Sequence, residues 1–541
     1  MPPDAPLDQQ SEYLFELATA LLDLFENDGS LATLNRAIAT FEHSLVLAVQ
    51  VQDPDVYMNF HSLGNALEER IRLVNTVVWD VHQRHAIRAD INRAIEVYKE
   101  ACDRAPIDAI DRPTYYNNLG GVYIERFERD SDPKDLDNAI SAYTEAFEIA
   151  KERGKRSATY LHNLGYALQS RCEFNGSESD LKSCLKFLAE AVQLANDEKR
   201  ASFSNDYANA LQLQFRRTGR LVALNDAIAY YRQAIKVSHP NDTHYTYFLN
   251  NLGNALQRRY SWTGSLDDLE GAIKQYEILQ QCYPKFSHTP QFLSNFGIAQ
   301  RCLFHHDDTN PILKYLDAAI ELFNTALDHA PPGHPYRSMC VANIGISLLD
   351  RFEETPSEYQ LLDRARDLYR AALQYRRDGE GDPDRGRLSH SLGLILSKKY
   401  QYEKQIGLLE EAISSYREAI QCTPMSQPDH TIYLISLGEN LKDYYDNTNP
   451  KNSTYLSEST NAFQLACQSS TASLSTRIVA AIFLLKQMDQ SGPGYAIAND
   501  ALQIAIKLLP MTASYNLRRA DQQYNLMAYF GLASSAAAIS L

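Results

Sequence analysis

The chain has 541 residues, of which 44% are hydrophobic and 22% are charged, and its formal net charge is −16. This length exceeds what one compact hydrophobic core supports, unless the chain is an array of repeats. The acidic balance argues against general binding to nucleic acid, which requires clustered Lys and Arg side chains.

Residues 1–11 precede the first helical pattern, and we expect them to form a flexible N-terminus. The chain does not open with a basic stretch followed by an apolar run, and no apolar run reaches the roughly 18 residues that a membrane span needs. The eight cysteines include no CxxC pair. These features predict a cytoplasmic protein without disulfides or membrane segments.

From residue 12 onwards, a small residue recurs in one helical context at intervals of 43 to 56 residues. Glycine inside a helix costs about 1 kcal/mol relative to alanine. Its recurrence therefore predicts a position at which a second helix approaches so closely that a side chain longer than a methyl group would clash. The small residues are Ala18, Gly64, Gly120, Gly165, Ala208, Gly253, Gly297, Gly345, Gly393 and Gly438.

A second pattern follows each small residue after about 19 positions, as in Ala272, Ile273 and Tyr276. Spacings of three and four place these residues on one stripe of a helix. Each unit therefore reads as helix A, a loop and helix B, and no segment alternates with the period of a strand. We predict an all-α, right-handed α-solenoid of about ten helical hairpins over residues 12–510, in which each hairpin contacts its neighbours.

Several connections carry helix start signals. Asp132, Asn310 and Asn449 each stand before a proline, which suits the first turn of a helix. Ser265 and Asp268 resemble a capping box with Asp in the third place. These signals predict where the B helices begin.

Three segments depart from the rhythm. Residues 72–90 form an extra segment between helices A and B of one unit, and residues 376–387 form a polar loop between two units. Either is a functional insertion or a tolerated surface loop. Residues 511–541 read as a terminal helical segment.

The pattern Asn-Leu-Gly, followed by Ala-Ile-x-x-Tyr-x-x-Ala and a proline near the end of the unit, resembles the tetratricopeptide repeat. The units are longer than the usual 34 residues. They are similar to the arrays that fungal proteins carry ahead of a CHAT domain, a caspase- and separase-like protease domain, and residues 508–541 look like the junction into such a domain. The resemblance implies a sensing or regulatory array with a CHAT domain in cis. No catalytic residue carries over, because no His or Cys motif of the protease is present.

The resemblance also implies that one face of each helix A lines a concave groove that binds a protein or peptide ligand. Recurring amides there would bond the backbone of an extended ligand, and charges and aromatic rings would add selectivity. A merely hydrated groove is the alternative for each residue. The candidates are Asn65, Glu69, Asn117, Glu125, His162, Tyr166, Gln169, Asn205, Asn209, Gln212, Asn250, Asn254, Gln257, Arg258 and Arg301.

A second set of amides stands two positions before the small residue, and we expect these to bond a neighbouring helix or repeat, because an unpaired buried amide is costly. They are Asn118, Asn163, Asn251, Asn295 and Asn343.

No residue pattern predicts an enzyme, a metal site or a cofactor. The stretch FHHDD at residues 304–308 contains metal-ligand types, but adjacent histidines on a helix diverge, and a polar loop is the better interpretation. No phosphate-binding glycine loop is present. The sequence predicts a non-catalytic protein-interaction scaffold. The alternatives are a self-assembling oligomerisation module and, least favoured, an enzyme with an unrecognised site.

Overall fold

The structure, a computed structural model, describes residues 5–75, 81–242, 244–306, 312–331, 334, 336–374, 383–425, 427–469, 471–472, 474–491 and 495–512. The chain divides into two compact units, Met1–Phe248 and Leu249–Leu541. Helices account for the secondary structure of the described residues, which include no strand. The predicted all-α class is confirmed.

The first unit consists of five helical hairpins, α1/α2, α3/α4, α5/α6, α7/α8 and α9/α10, and each hairpin packs on the next. The bounds are α1 (Leu7–Asp28), α2 (Leu31–Gln50), α3 (Val56–Asn75), α4 (Val81–Arg104), α5 (Arg112–Asp130), α6 (Pro133–Glu152), α7 (Ala158–Asn175), α8 (Glu178–Leu194), α9 (Asp197–Thr218) and α10 (Leu221–Val237).

The second unit contains most of α11 and the helices that follow, again as A and B pairs, with the one-turn α13 between two hairpins. The bounds are α11 (Tyr245–Thr263), α12 (Leu266–Cys282), α13 (Pro284–Ser287), α14 (Pro290–Phe304), α15 (Leu313–Asp328), α16 (Arg337–Glu354), α17 (Gln360–Gln374), α18 (Pro383–Glu403), α19 (Ile406–Cys422), α20 (Pro428–Asn447), α21 (Ser453–Gln468), α22 (Leu474–Ser491) and α23 (Tyr495–Thr512).

The recurring glycine lies where helix A crosses helix B, and it faces a large side chain of helix B, such as Tyr276 or Leu188. A Cβ atom on Gly253 would lie 2.7 Å from the Tyr276 ring, and one on Gly165 would lie 2.7 Å from Leu188 Cγ. These separations are shorter than any van der Waals contact, so even a methyl group is too large here. The packing is tighter than the sequence indicated, since only Ala18 and Ala208 carry a methyl group in this slot.

An arginine six positions after the small residue joins three helices. Its Nε and one Nη donate to both oxygens of an aspartate near the start of helix B, at 2.6 to 2.9 Å for Arg126 with Asp135 and for Arg171 with Asp180. The other Nη reaches helix B of the preceding hairpin, where Arg126 bonds Asn92 and Arg171 bonds Asp137. Arg126 and Arg171 therefore tie the α5/α6 and α7/α8 hairpins to their predecessors, and we call each of these Arg–Asp pairs a clamp.

The helix starts confirm one of the predicted caps. The Asp132 side chain accepts a hydrogen bond from the Lys134 backbone N–H, and Pro133 occupies the first turn of α6. Ser265 caps α12 only by its backbone. Asp268 does not complete a capping box, because its carboxylate accepts from Arg259. Asn452, rather than Asn449, caps α21.

At the N-terminus, α1 begins at Leu7, so residues 7–11 are helical where a flexible segment was expected. Ser11 explains the difference, because its buried hydroxyl donates to the Ser44 backbone carbonyl of α2 at 3.0 Å. The extra segment 72–90 contributes the end of α3 and the start of α4.

Residues 76–80, which include Trp79, lie outside the described residues, as do 376–382 of the predicted loop, Asn310 and Pro311, and residues 513–541 of the predicted terminal segment. Among the helices that the structure describes, none is long and apolar enough to cross a membrane.

Candidate functional site

The predicted groove residues lie on one side of the A helices. Their positions are numbered relative to the small residue that touches helix B. At 100° per residue, the positions three before and one, four and five after it fall within about 100° of each other. Four of the fifteen candidates are buried, namely Gln169, Asn205, Asn250 and Gln257. Arg258 is exposed and the remaining ten are partly exposed. The four buried side chains are therefore not accessible for direct contact with a ligand.

The positions one and four after the small residue hold the hydroxyl group of the helix B tyrosine. In the first unit, Tyr231 Oη donates to Asn209 Oδ1 at 2.5 Å and accepts from Gln212 Nε2 at 2.7 Å. Tyr98 Oη contacts Asn65 Oδ1 at 2.8 Å and Glu68 Oε2 at 2.7 Å. These candidates therefore have a structural role, since they satisfy a polar atom at the end of a buried ring.

The same arrangement occurs in the second unit, where Tyr276 Oη contacts Asn254 Oδ1 at 2.7 Å and Gln257 Oε1 at 3.3 Å. Burial raises the pKa of the Tyr276 phenol, so the hydroxyl stays protonated and remains a donor. The sequence showed the amides and the tyrosines separately, but not that they bond each other.

A ladder of hydrogen bonds links successive A helices in the first unit. Asn118 Nδ2 of α5 donates to Asn65 Oδ1 of α3 at 3.1 Å, and Asn163 Nδ2 of α7 donates to Asn117 Oδ1 of α5 at 2.8 Å. In the second unit, Asn295 Nδ2 donates to Asn250 Oδ1 at 3.3 Å. The expectation that the amides two positions before the small residue bond a neighbouring repeat is confirmed at these three positions.

Histidines extend this ladder. His162 Nε2 lies 2.8 Å from Asp206 Oδ2 of α9, and its ring stacks on Phe203 at 4.1 Å between centroids. His61 of α3 packs on Tyr115 of α5 in the equivalent place, and burial lowers the pKa of His61 to about 4. The neutral ring then serves as a packing surface.

Acidic side chains cluster on the A helices of the first unit. Glu69 pairs with Arg72 one turn away, and Glu125 accepts from Arg129 at 2.8 Å. Burial raises the pKa of Glu68 to about 7, and it also raises the pKa of Glu128, which accepts from Tyr166 Oη at 3.1 Å. The partly exposed face of this unit therefore carries more glutamates than arginines and is lined by tyrosine hydroxyls.

Gln169 of α7 is buried beside this acidic face. Its Nε2 lies 3.5 Å from Glu173 Oε1, and its Oε1 has no hydrogen-bond partner among the described residues. Within the described part of the chain, Gln169 Oε1 is thus a buried acceptor without a donor.

In the second unit, Arg301 contributes to packing rather than to a free surface. Its guanidinium group binds Asp350 of α16, with Nη2 3.2 Å from Oδ1, and His305 Nε2 donates to the same carboxylate at 3.0 Å. Burial opposes ionisation of Asp350, but the bonds from His305 and Arg301 outweigh it and lower the pKa.

His305 and His306 therefore separate, as expected for adjacent histidines, with His306 Nδ1 3.2 Å from Tyr260 Oη. Asp307 and Asp308 lie outside the described residues. Within the part of the chain that the structure describes, no group of three or more His, Cys, Asp or Glu side chains could hold a metal ion.

The cysteines are mostly packed as small apolar side chains. Cys184 occupies a small slot of α8 and is fully buried, and burial raises the pKa of its thiol to about 12. Burial raises the pKa of the Cys102 thiol to about 12 as well. A thiol in this state is a poor nucleophile.

Comparison with known proteins finds a family match for one hairpin. Residues 247–279 match the sequence profile of the tetratricopeptide repeat, and this range contains Gly253 and Tyr276 of the α11/α12 hairpin. No curated protein matches the chain by sequence.

Solved structures with a related arrangement of helices include three proteins. The human IFIT1 dimer with m7Gppp-AAAA has 12% identity and a TM-score of 0.46 over 92% of this chain and 95% of that chain. The apo form of the quorum sensor NprR from B. thuringiensis has 12% identity and a TM-score of 0.39 over 70% and 97%. YrrB, a TPR protein with an unusual peptide-binding site, has 16% identity and a TM-score of 0.27 over 44% and 95%.

Proposed function

We propose that the chain is a non-catalytic scaffold that binds an extended segment of another protein along the A-helix face of the first unit. One observation supports this most. Polar side chains recur in one register on α3, α5, α7 and α9, they are held in place by bonds between helices, and they remain partly exposed. Rigid, preorganised polar groups lower the ordering cost of binding.

The available side chains suit the backbone and polar groups of a peptide. Asn65 and Asn117 are partly exposed amides whose oxygen atoms bond neighbouring helices. Glu69 and Glu125 are partly exposed carboxylates that each pair with an arginine of the same helix. Amides offer a donor and an acceptor to a peptide group whatever its side chain. The carboxylates would favour segments with a positive charge.

A randomised peptide library displayed on phage tests this function with the purified full chain as target. Selected peptides are synthesised with a fluorescent label, and their affinity is measured by fluorescence anisotropy. Glu69→Lys changes the face by two charge units, and we expect it to weaken binding about tenfold. Glu145→Lys on α6 is the matched control, because Glu145 is exposed on a B helix and the net charge changes equally.

Two results would contradict the proposal. One is a library selection that yields no peptide above the background of an unrelated protein. The other is an equal loss of affinity in both variants, which would show that binding follows total charge rather than this face.

A finer proposal is that the array regulates a CHAT protease-like domain in the same polypeptide. The resemblance of residues 508–541 to the junction into such a domain is its support. Sequencing of the gene beyond the codon for Leu541 tests it. A downstream reading frame with the His and Cys motifs of that domain is expected, and a stop codon or an unrelated domain would refute this finer role while leaving the scaffold intact.

A further inference from the structure

The α5/α6 hairpin departs from the arrangement in the α3/α4 and α9/α10 hairpins, where side chains of helix A hold the helix B tyrosine. The hydroxyl groups of Tyr98 and Tyr231 each bond the residues one and four positions after the small residue. In the α5/α6 hairpin these positions are Gly121 and Ile124, and neither has a polar side chain.

Tyr143 is consequently left without a partner. Its side chain is only 5% exposed, and among the described residues no hydrogen bond to its hydroxyl group is formed. Burial raises the pKa of this phenol, so it remains a neutral donor and acceptor. The Tyr143 hydroxyl oxygen is not among the fully enclosed polar atoms that lack a partner, so the buried ring presents its hydroxyl group to an accessible space.

Gly121 leaves a space above this hydroxyl group. A Cβ atom built on Gly121 would lie 3.8 Å from Tyr143 Oη and 3.8 Å from Glu68 Oε1 of α3. In the α3/α4 and α9/α10 hairpins an asparagine side chain, Asn65 or Asn209, stands at this position of helix A. The space over Gly121 therefore brings together a hydroxyl group and a carboxylate from two different helices.

Two carboxylates of this region are close enough to an arginine to feel its charge, Glu68 to Arg72 and Glu128 to Arg129, but neither contacts it directly. Among the described residues neither Glu68 nor Glu128 forms an ion pair, because Arg72 pairs with Glu69 and Arg129 pairs with Glu125. Tyr98 and Tyr166 donate one hydrogen bond each to Glu68 and Glu128. Glu125 and Glu68 repel each other, as do Glu125 and Glu128.

This combination selects one ligand chemistry. A hydroxyl group that can accept a hydrogen bond, beside two glutamates whose pKa values burial raises, matches a group that only donates and carries positive charge, because such a group would stabilise the ionised form of the glutamates. A phosphate or carboxylate would be repelled. An ammonium or guanidinium group would satisfy Tyr143 Oη and Glu68 together, and would be attracted by Glu128.

We propose that the space over Gly121 binds the charged end of a Lys or Arg side chain in the segment held by the first unit. This inference rests on the proposed function and specifies its ligand: the segment carries a basic residue that anchors it between α3 and α5.

Gly121→Asn tests the site by restoring the residue that other hairpins have. The Cβ atom has room, and the amide would accept from Tyr143 Oη as Asn65 does from Tyr98. We expect the variant to melt no lower than the wild type and to bind basic ligands at least tenfold more weakly. Gly407→Asn is the matched control, because a Cβ atom on Gly407 of α19 meets nothing within 4 Å. Glu68→Gln is a second test, since it removes the charge and keeps the shape.

The probes are Nα-acetyl-lysine methylamide, its arginine counterpart and its norleucine counterpart, observed by saturation-transfer NMR with the full chain. The lysine or arginine probe should receive saturation from the wild type and from Gly407→Asn, but not from Gly121→Asn or Glu68→Gln. The norleucine probe should receive none. The stronger of the two basic probes identifies an ammonium or a guanidinium as the preferred group.

The peptides selected from the library give an independent readout. Enrichment of Lys or Arg at one position, lost on Gly121→Asn, supports the site. Equal signals from wild type and Gly121→Asn, or selected peptides without basic enrichment, overturn it. If the basic probes bind but no peptide is selected, the amine site stands and the scaffold function fails.

Discussion

The adjacent glycines of α5 provide a direct test of the helix crossing. Gly120→Ala and Gly121→Ala are the same substitution in the same helix, so each gains about 1 kcal/mol of helix propensity. Their surroundings differ. A Cβ atom on Gly120 would lie 2.7 Å from the Tyr143 ring, whereas the nearest atoms to one on Gly121 lie at 3.8 Å. The difference between the two variants isolates the packing term.

The Tyr143 ring has little freedom to move, because it is 95% buried between α5 and α6. Forcing a methyl group into such a core costs typically 1–3 kcal/mol, by analogy with other overpacked sites. We therefore expect Gly121→Ala to stabilise the hairpin by up to about 1 kcal/mol, and Gly120→Ala to be about 1–3 kcal/mol less stable than Gly121→Ala.

Hydrogen exchange followed by mass spectrometry is the suitable assay, because repeats open locally and a global unfolding curve averages over them. Peptides from α5 and α6 should exchange about 5 to 150 times faster in Gly120→Ala than in Gly121→Ala. Peptides from α1 should not differ. Equal exchange in the two variants would refute the close crossing as the reason for glycine.

Three further predictions concern the clamp, a histidine and the thiols. Asp180→Asn should lower the free energy of unfolding by about 2 kcal/mol, measured by urea unfolding followed by hydrogen exchange of α7 and α8. The loss is smaller than for a fully buried pair, because Arg171 stays partly hydrated. Glu178→Gln, in an exposed pair with Lys182, should have no measurable effect. Burial lowers the pKa of His390 from 6.5 to about 4, so in this pH range the unfolded chain is protonated at His390 while the folded chain is not. The free energy of unfolding should therefore fall by up to about 3 kcal/mol as the pH drops from 6.5 to 4. A wild-type profile of stability against pH that is identical to that of His390→Gln would contradict this. Iodoacetamide at pH 8 should label exposed Cys282 in the native protein well before Cys102 and Cys184, and equal labelling rates would show that those two are not buried.

Much of the fold could be predicted because its determinants are local. A glycine in one register and a stripe such as Ala272, Ile273 and Tyr276 specify two helices and their crossing point. The asparagines that join repeats, such as Asn163, were also predictable, since a buried amide needs a partner.

The clamp was missed although its signal is present, because Arg171 and Asp180 are nine positions apart and belong to different helices. Spacing between two helices carries no periodicity to recognise. The same limit explains Ser265 and Asp268, whose sequence resembles a cap while the structure assigns Asp268 to Arg259.

For the candidate site, the sequence could predict only which positions of each helix A share one side. Counting from the small residue placed the candidates on one side of helix A, but it could not distinguish Asn209, which holds Tyr231, from Glu69, which pairs with Arg72 on its own helix. It also gave no sign of the space over Gly121, because that feature is an absence of side chains that appears only beside Tyr143 and Glu68.

The location of the ligand is the most direct test of the scaffold account. Benzoylphenylalanine placed at position 69 of α3, or at the control position 145 of α6, is irradiated in the presence of a selected peptide, and crosslinks are read by mass spectrometry. The account predicts a crosslink from position 69 that unlabelled peptide suppresses, and none from position 145. Crosslinking from position 145 alone would place the ligand on the B helices and contradict the account.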